Sequence, residues 1–286
     1  DTVSVAHLCE SKGNGPCMYI LNGNGEEEYA PRFTWFAFDK VIVSGFPGEL
    51  TASDITAEAV YTDVRTTGRF QCSNDLFNRI NHIWWRTQTD NMHMGVATDC
   101  PHREKGPYTG DGQVACVTVI HNFDVKALYS KWLQDVNTGY VPNGAPWHPG
   151  CGGGAGWGAA MNIMPWEYYV HYGDRDLLQK YYFAMTEQMR WMKNWIREDG
   201  TLHQQAPLGA EPIYWMNLGD WLPPYELPKD DMVHTFMLWK CADYTARAAH
   251  ALGLVEDEAQ YRDMADAAAA AFHSVYYDEE TASYGD

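Results

Sequence analysis

The sequence predicts a mainly α-helical protein with a β-rich segment at its start. Near residue 69 the spacing of apolar residues changes from a period of two to one of about 3.6, which marks a change from strands to helices. About seven helical stretches follow, joined by irregular loops rich in Gly and Pro. This series favours paired helices packed in a layer or a toroid. The lack of strand–helix alternation argues against a parallel α/β fold.

Residues 1–68 are predicted to form β structure, because short runs of Val, Ile, Tyr, Phe and Trp alternate with turn clusters. The best strands are expected at 34–44 and 57–64. They are too few for a complete β-sandwich. The remaining length agrees with a second domain, since 286 residues correspond to roughly two domains of about 150 residues each.

Residues 69–286 are predicted to be helical. Ser73 is the expected N-cap of the first helix, whose apolar face carries Leu76, Ile80, Ile83 and Trp84. The later helices are expected at 112–121, 124–137, 157–172, 175–197, 230–252 and 256–276. Two long loops, 137–156 and 200–229, contain Trp residues, and loops of this kind are usually functional. We therefore expect them to form the walls of a cleft.

Charge and composition exclude several kinds of partner. The chain has 38 acidic and 20 basic residues, a formal charge of −18, so nucleic acid and anionic membrane surfaces would be repelled. The longest uncharged stretch, 136–166, is broken by Gly and Pro and is not expected to span a membrane. The seven Cys have irregular spacing and leave the redox compartment open. The twelve Trp favour a cleft with flat apolar faces, although an aromatic core is the commoner cause.

The densest polar cluster of the sequence lies at 98–111, between two predicted helices. Its charged and aromatic members are Asp99, His102, Arg103, Glu104, Lys105, Tyr108 and Asp111. Hydrolysis of a glycosidic bond needs one carboxylic acid to protonate the leaving oxygen, and usually a second carboxylate to activate water or attack. Further carboxylates and an Arg are suited to binding sugar hydroxyls. The cluster therefore indicates a candidate glycosidase site.

Two other interpretations of the cluster stay open. Arg103, Lys105 and the carboxylates could form an exposed salt-bridged loop without a catalytic role. The other interpretation is a metal site, with ligands drawn from His93, Asp99, His102 and Asp111. The sequence has no H-E-x-x-H motif, no calcium-loop pattern and no nucleotide-binding glycine motif, so we expect neither a metal nor a cofactor.

The same cluster is similar to the signature of the bacterial α-L-rhamnosidases of glycoside hydrolase family 78. That signature runs Asp-Cys-Pro-x-Arg, one or two acidic residues, then Gly, an aromatic residue and Gly-Asp. Here it reads Asp99-Cys100-Pro101-His102-Arg103-Glu104, followed by Tyr108-Thr109-Gly110-Asp111. The stretches 31–34, 72–74 and 219–222 also resemble the family, so the likeness covers essentially the whole chain. Gly106-Pro107 departs from the usual charged or bulky residues, so the leaving-group side is expected to differ.

The resemblance implies an (α/α)6 toroid of the six-hairpin glycosidase type, preceded by the end of a β-sandwich domain. Residues 1–68 would be the C-terminal part of the sandwich, and residues 69–286 the N-terminal part of the toroid, which would be incomplete. The implied activity is hydrolysis of terminal α-L-rhamnosyl residues with inversion, by direct displacement by water. The implied partner is a carbohydrate, and members of the family act mostly in the periplasm or outside the cell, with some in the cytoplasm.

By motif position the resemblance also implies residue roles. Glu104 would be the general acid, and the general base is expected beyond Asp286, with Glu211 as the best internal substitute. The residues implied in substrate binding are Asp99, Arg103, Tyr108, Asp111, Trp157, Asp220 and Trp221. Of these, Tyr108 would stand in for an aromatic subsite wall, and the two Trp would stack on the sugar.

An acid role requires a proton on Glu104. Like-charge repulsion from Asp99 and Asp111 favours the protonated form, whereas Arg103 and Lys105 favour the ionised form. We therefore expect the proton to be retained only if the two cations point away from Glu104 or are paired with the aspartates. The alternatives to this function are a toroid enzyme for another sugar, a sugar-binding relative without catalysis, and a purely structural loop.

Overall fold

The computed structural model describes residues 2–9, 12–13, 16–139, 141–146, 151–203, 214–215, 219–221, 226 and 228–285. Within these residues a small antiparallel sheet precedes a series of seven α-helices. The mainly α-helical class predicted from the sequence is therefore confirmed. In the same ranges, no helix is long and apolar enough to cross a membrane.

The N-terminal sheet is built around one central strand, β1. Its four strands are β1 (Thr2–Cys9), β2 (Lys12–Gly13), β3 (Cys17–Ile20) and β4 (Lys40–Ser44). All three partners pair antiparallel with β1: β2 and β3 at successive parts of one edge, and β4 across Ser4 to Leu8. This sheet is the β structure that the sequence indicated for the first part of the chain.

The two strands expected from the sequence are largely wrong. Only Lys40–Ser44 of the predicted 34–44 run is a strand, and 57–64 forms no strand. In the first run the aromatic residues make ring contacts instead of strand pairing: Trp35 stacks on His93 with ring centroids 4.2 Å apart, and Phe36 stacks on His7 of β1 at 4.1 Å. In the second run, Thr62 donates its N–H to the Met92 carbonyl of a later segment, at 2.6 Å. β-rich composition reports half-buried apolar surface, which long-range packing can use without a ladder.

The helices follow the predicted order closely. Their bounds are α1 (Asp75–Thr89), α2 (Thr109–Asn122), α3 (Lys126–Val136), α4 (Ala160–Tyr172), α5 (Arg175–Lys193), α6 (Asp230–Leu252) and α7 (Val255–Tyr276). The predicted cap of α1 is off by one residue: Asn74, not Ser73, accepts the N–H of Leu76 at 2.9 Å. Short hairpins or strand pairs occur at β5 (Met92–His93), β6 (Val96–Ala97), β7 (Cys151–Gly152), β8 (Tyr214–Trp215), β9 (Tyr277–Asp278) and β10 (Ser283–Tyr284).

Helices α2, α4 and α6 form one layer, with α3, α5 and α7 packed against it. Their C-terminal ends lie together, because Tyr172 at the end of α4 accepts from the Val125 N–H just after α2. Likewise Arg175, which follows α4, donates to the carbonyls at the end of α6. The N-terminal ends of α2, α4 and α6 therefore share the opposite side. Segments singled out in the sequence lead into these three ends: the 98–111 cluster into α2, the 137–156 loop into α4 and the 200–229 loop into α6.

The core lies between these two helical layers. Trp132 of α3 is completely buried, and its indole N–H donates to the Ala145 carbonyl at 2.8 Å. The ring occupies the space beside Gly112, where a Cβ atom would collide with it. Trp132 thereby joins α3 to the first turns of α2 and to the 141–146 segment.

Most of the apolar face of α1 is exposed in the structure. Leu76, Ile80 and Ile83 are 52–59% exposed. Trp84, the fourth residue of the predicted face, packs on the core, with its ring centroid 6.1 Å from that of Phe123. In the described residues, α1 is therefore attached by one edge only.

We expect Gly112→Ala to destabilise the protein although Ala is the better helix former by about 1 kcal/mol. The added methyl group must displace the Trp132 ring, and overpacking of this kind costs about 1–3 kcal/mol or more. Urea denaturation followed by Trp fluorescence measures the free energy of unfolding. Val114→Ala, on the same helix and 77% exposed, is the matched control and should leave it nearly unchanged. Equal stability of the two variants would contradict the packing assigned to Trp132.

Candidate active site

The segment 99–108 forms a compact turn ahead of α2. Its ends are joined by two hydrogen bonds: the Asp99 N–H donates to the Gly106 carbonyl at 2.9 Å, and the Gly106 N–H donates to Asp99 Oδ1 at 2.7 Å. Inside the turn, the Glu104 N–H donates to Cys100 Sγ at 3.4 Å. Asp99 therefore has a local structural role with one carboxylate oxygen, and the turn presents Arg103 and Glu104 to solvent.

Both oxygens of Glu104 have a donor. Arg103 Nη2 lies 2.8 Å from Oε1, and the Tyr108 hydroxyl donates to Oε2 at 2.8 Å. Burial, followed by this hydrogen bond, raises the pKa of Tyr108 far above its ordinary value, so the hydroxyl keeps its proton. The two contacts together orient the Glu104 carboxylate.

The two cations expected to oppose an acid role behave differently. Arg103 points at Glu104, so this part of the salt-bridged loop interpretation is present in the structure. Lys105 points away and donates to the main-chain carbonyl of Trp35. Of the two cations, only Lys105 therefore points away from Glu104, as the acid role was expected to require of both.

Asp111 lies in the first turn of α2 and faces the same region. Loss of water around its carboxyl, together with the negative charges of Asp99 and Glu104, raises the pKa of Asp111 to about 6. The residue still keeps contact with solvent. Asp111 therefore exchanges a proton near neutral pH.

Trp157 joins this group, as the sequence indicated. Its indole lies over Gly110, where a Cβ atom would come within 2.5 Å of the ring. The half-buried Trp157 therefore packs on the residue that immediately precedes Asp111. A flat aromatic face next to hydrogen-bonding carboxylates is an arrangement suited to a sugar ring.

The two long loops meet at this point. Thr109 Oγ1 donates to the carbonyls of Pro142 and Asn143, at 2.9 and 3.1 Å, which holds the first loop on the start of α2. Cys151–Gly152 in turn pairs in parallel with Tyr214–Trp215 of the second loop. The polar turn and both loops are therefore continuous through hydrogen bonds.

Two buried glutamines that sequence analysis missed fix the Gly-rich part of the first loop. Gln113 of α2 donates to the Gly156 carbonyl at 2.6 Å, and Gln188 of α5 donates to the Gly154 carbonyl at 3.0 Å. The sequence signal that could have identified them is a Gln at an otherwise apolar position of a predicted core helix. Together these amides set the position of Trp157, which follows the loop.

Other predicted residues are not brought to the cluster. Asp220 and Trp221 are exposed, Trp221 at 61%, and Gly219 beside them lies against Asp230 at the start of α6. In the described part of the chain, no hydrogen bond, ion pair or ring contact joins Asp220 or Trp221 to the 99–111 segment. Glu211 lies outside the described residues.

The proposed metal ligands do not form a centre. Across the residues described by the structure, no group of three or more His, Cys, Asp or Glu side chains could hold a metal ion. His93 instead stacks on Trp35, and its Nε2 lies 2.8 Å from the Asp90 carbonyl.

Comparison with known families gives two matches along the chain. Residues 65–286 match the bacterial alpha-L-rhamnosidase 6 hairpin glycosidase domain. Residues 8–61 match the bacterial alpha-L-rhamnosidase concanavalin-like domain. The six-hairpin fold class and the preceding sheet domain are thus both confirmed.

Similar proteins carry the same description. An alpha-L-rhamnosidase of Formosa agariphila is 31% identical over 223 residues, which are 72% of this chain and 22% of that protein. One from Streptomyces avermitilis is 32% identical over 276 residues, which are 94% of this chain and 25% of that protein. The chain therefore spans about a quarter of the length of these curated relatives.

Solved structures agree with this assignment. The alpha-L-rhamnosidase from Dictyoglumus thermophilum superposes with a TM-score of 0.83 at 28% identity, covering 97% of this chain and 32% of that one. The Streptomyces avermitilis alpha-L-rhamnosidase complexed with L-rhamnose gives a TM-score of 0.80 at 28% identity, covering 97% of this chain and 27% of that one. Because a family model matches most of its length, the chain belongs to the bacterial α-L-rhamnosidases, and residues 65–286 are sequence of their six-hairpin glycosidase domain.

Proposed function

We propose that the protein containing this chain is an inverting α-L-rhamnosidase and that Glu104 is its general acid. The observation that carries the proposal is the position of Glu104: its carboxylate is oriented by Arg103 and Tyr108 in a turn that Asp99 closes. The named activity of the similar proteins supports it. Because the chain spans only part of them, the activity of the whole protein is part of the proposal.

The acid step requires the Glu104 pair with Arg103 to open. Both side chains are exposed, so their ion pair contributes little and a sugar hydroxyl can take over the guanidinium donors. Substrate binding would thus free the Glu104 carboxyl from Arg103, while the Tyr108 hydroxyl still donates to it.

The reaction then proceeds in a single displacement. Glu104 gives its proton to the glycosidic oxygen, the bond from that oxygen to the anomeric carbon breaks, and water attacks the anomeric carbon from the opposite face. A base takes the proton lost by the water. We assign that base to no described residue, and keep the expectation that it lies beyond Asp286.

Substrate binding is proposed for the residues around Glu104. Asp99 retains one carboxylate oxygen for a hydroxyl, Arg103 becomes available as its ion pair opens, and Asp111 accepts a hydroxyl once ionised. Trp157 supplies the stacking face beside Asp111. For Asp220 and Trp221 the proposal rests on motif position alone.

The domain boundary at residues 68 and 69 also remains a proposal. The segment just before it packs on the helices: Arg65 pairs with Asp124 at 2.9 Å, and the N–H groups of Thr67 and Gly68 donate to the Asn122 carbonyl.

A location in the periplasm or outside the cell is proposed from the resemblance.

Removal of the acid should slow a reaction that needs leaving-group protonation. We expect Glu104→Gln to lower kcat for phenyl α-L-rhamnoside by about 10²–10⁴-fold, the usual contribution of a general acid. Glu187→Gln, which breaks an exposed pair with Arg190 on α5, is the matched control and should be fully active. Unchanged turnover in Glu104→Gln would remove Glu104 from the acid role.

Inversion can be observed directly in the product. Proton NMR of the first turnovers should show β-L-rhamnose forming from the α-linked substrate, followed by slow mutarotation. A panel of aryl glycosides run alongside distinguishes rhamnose from other sugars. Initial formation of the α-anomer would contradict single displacement, and preference for another glycoside would change the substrate.

The activity should depend on the ionisation of Asp111. With a pKa of about 6, its carboxylate is charged above that pH and can accept a sugar hydroxyl, but is protonated below it. We therefore expect kcat/KM, which reports the free enzyme, to fall as the pH drops through about 6. Asp111→Asn should lose affinity and this acidic limb together. An unchanged limb in Asp111→Asn would assign it to another group.

A further inference from the structure

The residue after Glu104 has an unusual backbone conformation. Lys105 has a φ of +53°, in the left-handed region that a long side chain rarely adopts. Such conformations persist only where surrounding contacts hold them, and they concentrate at functional sites. The turn that carries Glu104 therefore needs an external restraint at the next residue.

The Lys105 side chain supplies this restraint by reaching the N-terminal segment. Its Nζ donates to the main-chain carbonyl of Trp35, and lies 5.4 Å from the centroid of the Trp35 ring and 4.8 Å from that of Phe36. These distances are within the range of cation–π attraction, about 6 Å. One ammonium group thus contacts a carbonyl and two aromatic rings of a segment 70 residues earlier in the chain.

The two rings are themselves fixed from the far side. Trp35 stacks on His93 at 4.2 Å and an angle of 12°, and Phe36 stacks on His7 of β1 at 4.1 Å and 2°. Burial, with a smaller contribution from the Lys105 ammonium, lowers the pKa of both imidazoles, so they stay neutral beside it. The surface that receives Lys105 is therefore tied both to the sheet and to the segment after α1.

On the other side, Lys105 lies within the hydrogen-bonded closure of the turn. Gly106 makes both bonds to Asp99, and Glu104 directly precedes Lys105. A shift of the Lys105 backbone would move Glu104 relative to Tyr108, which is fixed at the start of α2. A displacement of about 1 Å of a catalytic group can cost up to about 100-fold in rate.

We propose that Lys105 is a positioning residue for Glu104, which it holds by anchoring the 99–108 turn to Trp35 and Phe36. This inference rests on the proposed acid role of Glu104. The segment that carries Trp35 and Phe36 thereby becomes part of the catalytic apparatus, because it provides the surface that positions Glu104 through Lys105.

The test compares Lys105→Met and Lys105→Arg in the intact protein. Met keeps the apolar stem but removes the cation, so kcat for phenyl α-L-rhamnoside should fall by about 10- to 100-fold with KM nearly unchanged. Arg can still donate to the Trp35 carbonyl and lie over both rings, so it should retain kcat within about threefold. Lys126→Met, which removes an exposed partner of Asp174, is the control for loss of a surface Lys.

Hydrogen–deuterium exchange measures the anchor without relying on turnover. The amides of the 99–106 region should exchange faster in Lys105→Met than in the wild type or Lys126→Met, with the core of α4 unchanged. Wild-type kcat in Lys105→Met, equal loss in the Met and Arg variants, or unchanged exchange would each overturn the positioning role. If the wild type hydrolyses no α-L-rhamnoside, the proposed function fails, and the exchange result still decides whether Lys105 anchors the turn.

Discussion

The packing of Trp132 is the constraint on which the arrangement of the site depends. This buried indole fills the space left by Gly112 at the end of the first turn of α2, and its N–H donates to the Ala145 carbonyl of the adjacent loop. One side chain therefore sets the distance between two helices and the position of a loop. Gly110 and Asp111 directly precede Gly112, and Trp157 packs over Gly110.

From this centre the polar groups are placed by main-chain hydrogen bonds more than by ion pairs. Thr109, Gln113 and Gln188 hold the loops through carbonyl groups, and Asp99 closes the turn through an amide. The charged side chains of Arg103 and Glu104 are therefore not needed to hold the loops, and they can change partners when a substrate binds. The exposed pair of Arg103 and Glu104 can open at little cost, since exposed ion pairs contribute at most about 1 kcal/mol. A rigid frame with a weak, exposed charge pair would suit the acid role proposed for Glu104.

Sequence patterns predicted the helices well and the strands poorly. The helix period depends on contacts within a few residues, so α2 to α7 were found with ends within a few residues of those observed. The runs at 34–38 and 57–64 have strand-like composition, but Trp35 and Phe36 pack on His93, His7 and Lys105. Partners so distant in sequence leave no local signal. The exposure of Leu76, Ile80 and Ile83 was missed because periodicity identifies an apolar face without showing what covers it.

By itself the sequence determined the helical class, the motif that places the chain among the bacterial α-L-rhamnosidases, and the grouping of Asp99, Glu104 and Asp111, which are close neighbours along the chain. Only the tertiary structure decided which cation faces Glu104, because the direction of a side chain in an irregular turn depends on its contacts. Arg103 stays with Glu104, and Lys105 turns to Trp35. The tertiary structure also brought Trp157 onto Gly110, next to Asp111 in the chain, since the positions of two helix N-termini are set by core packing and not by residue order.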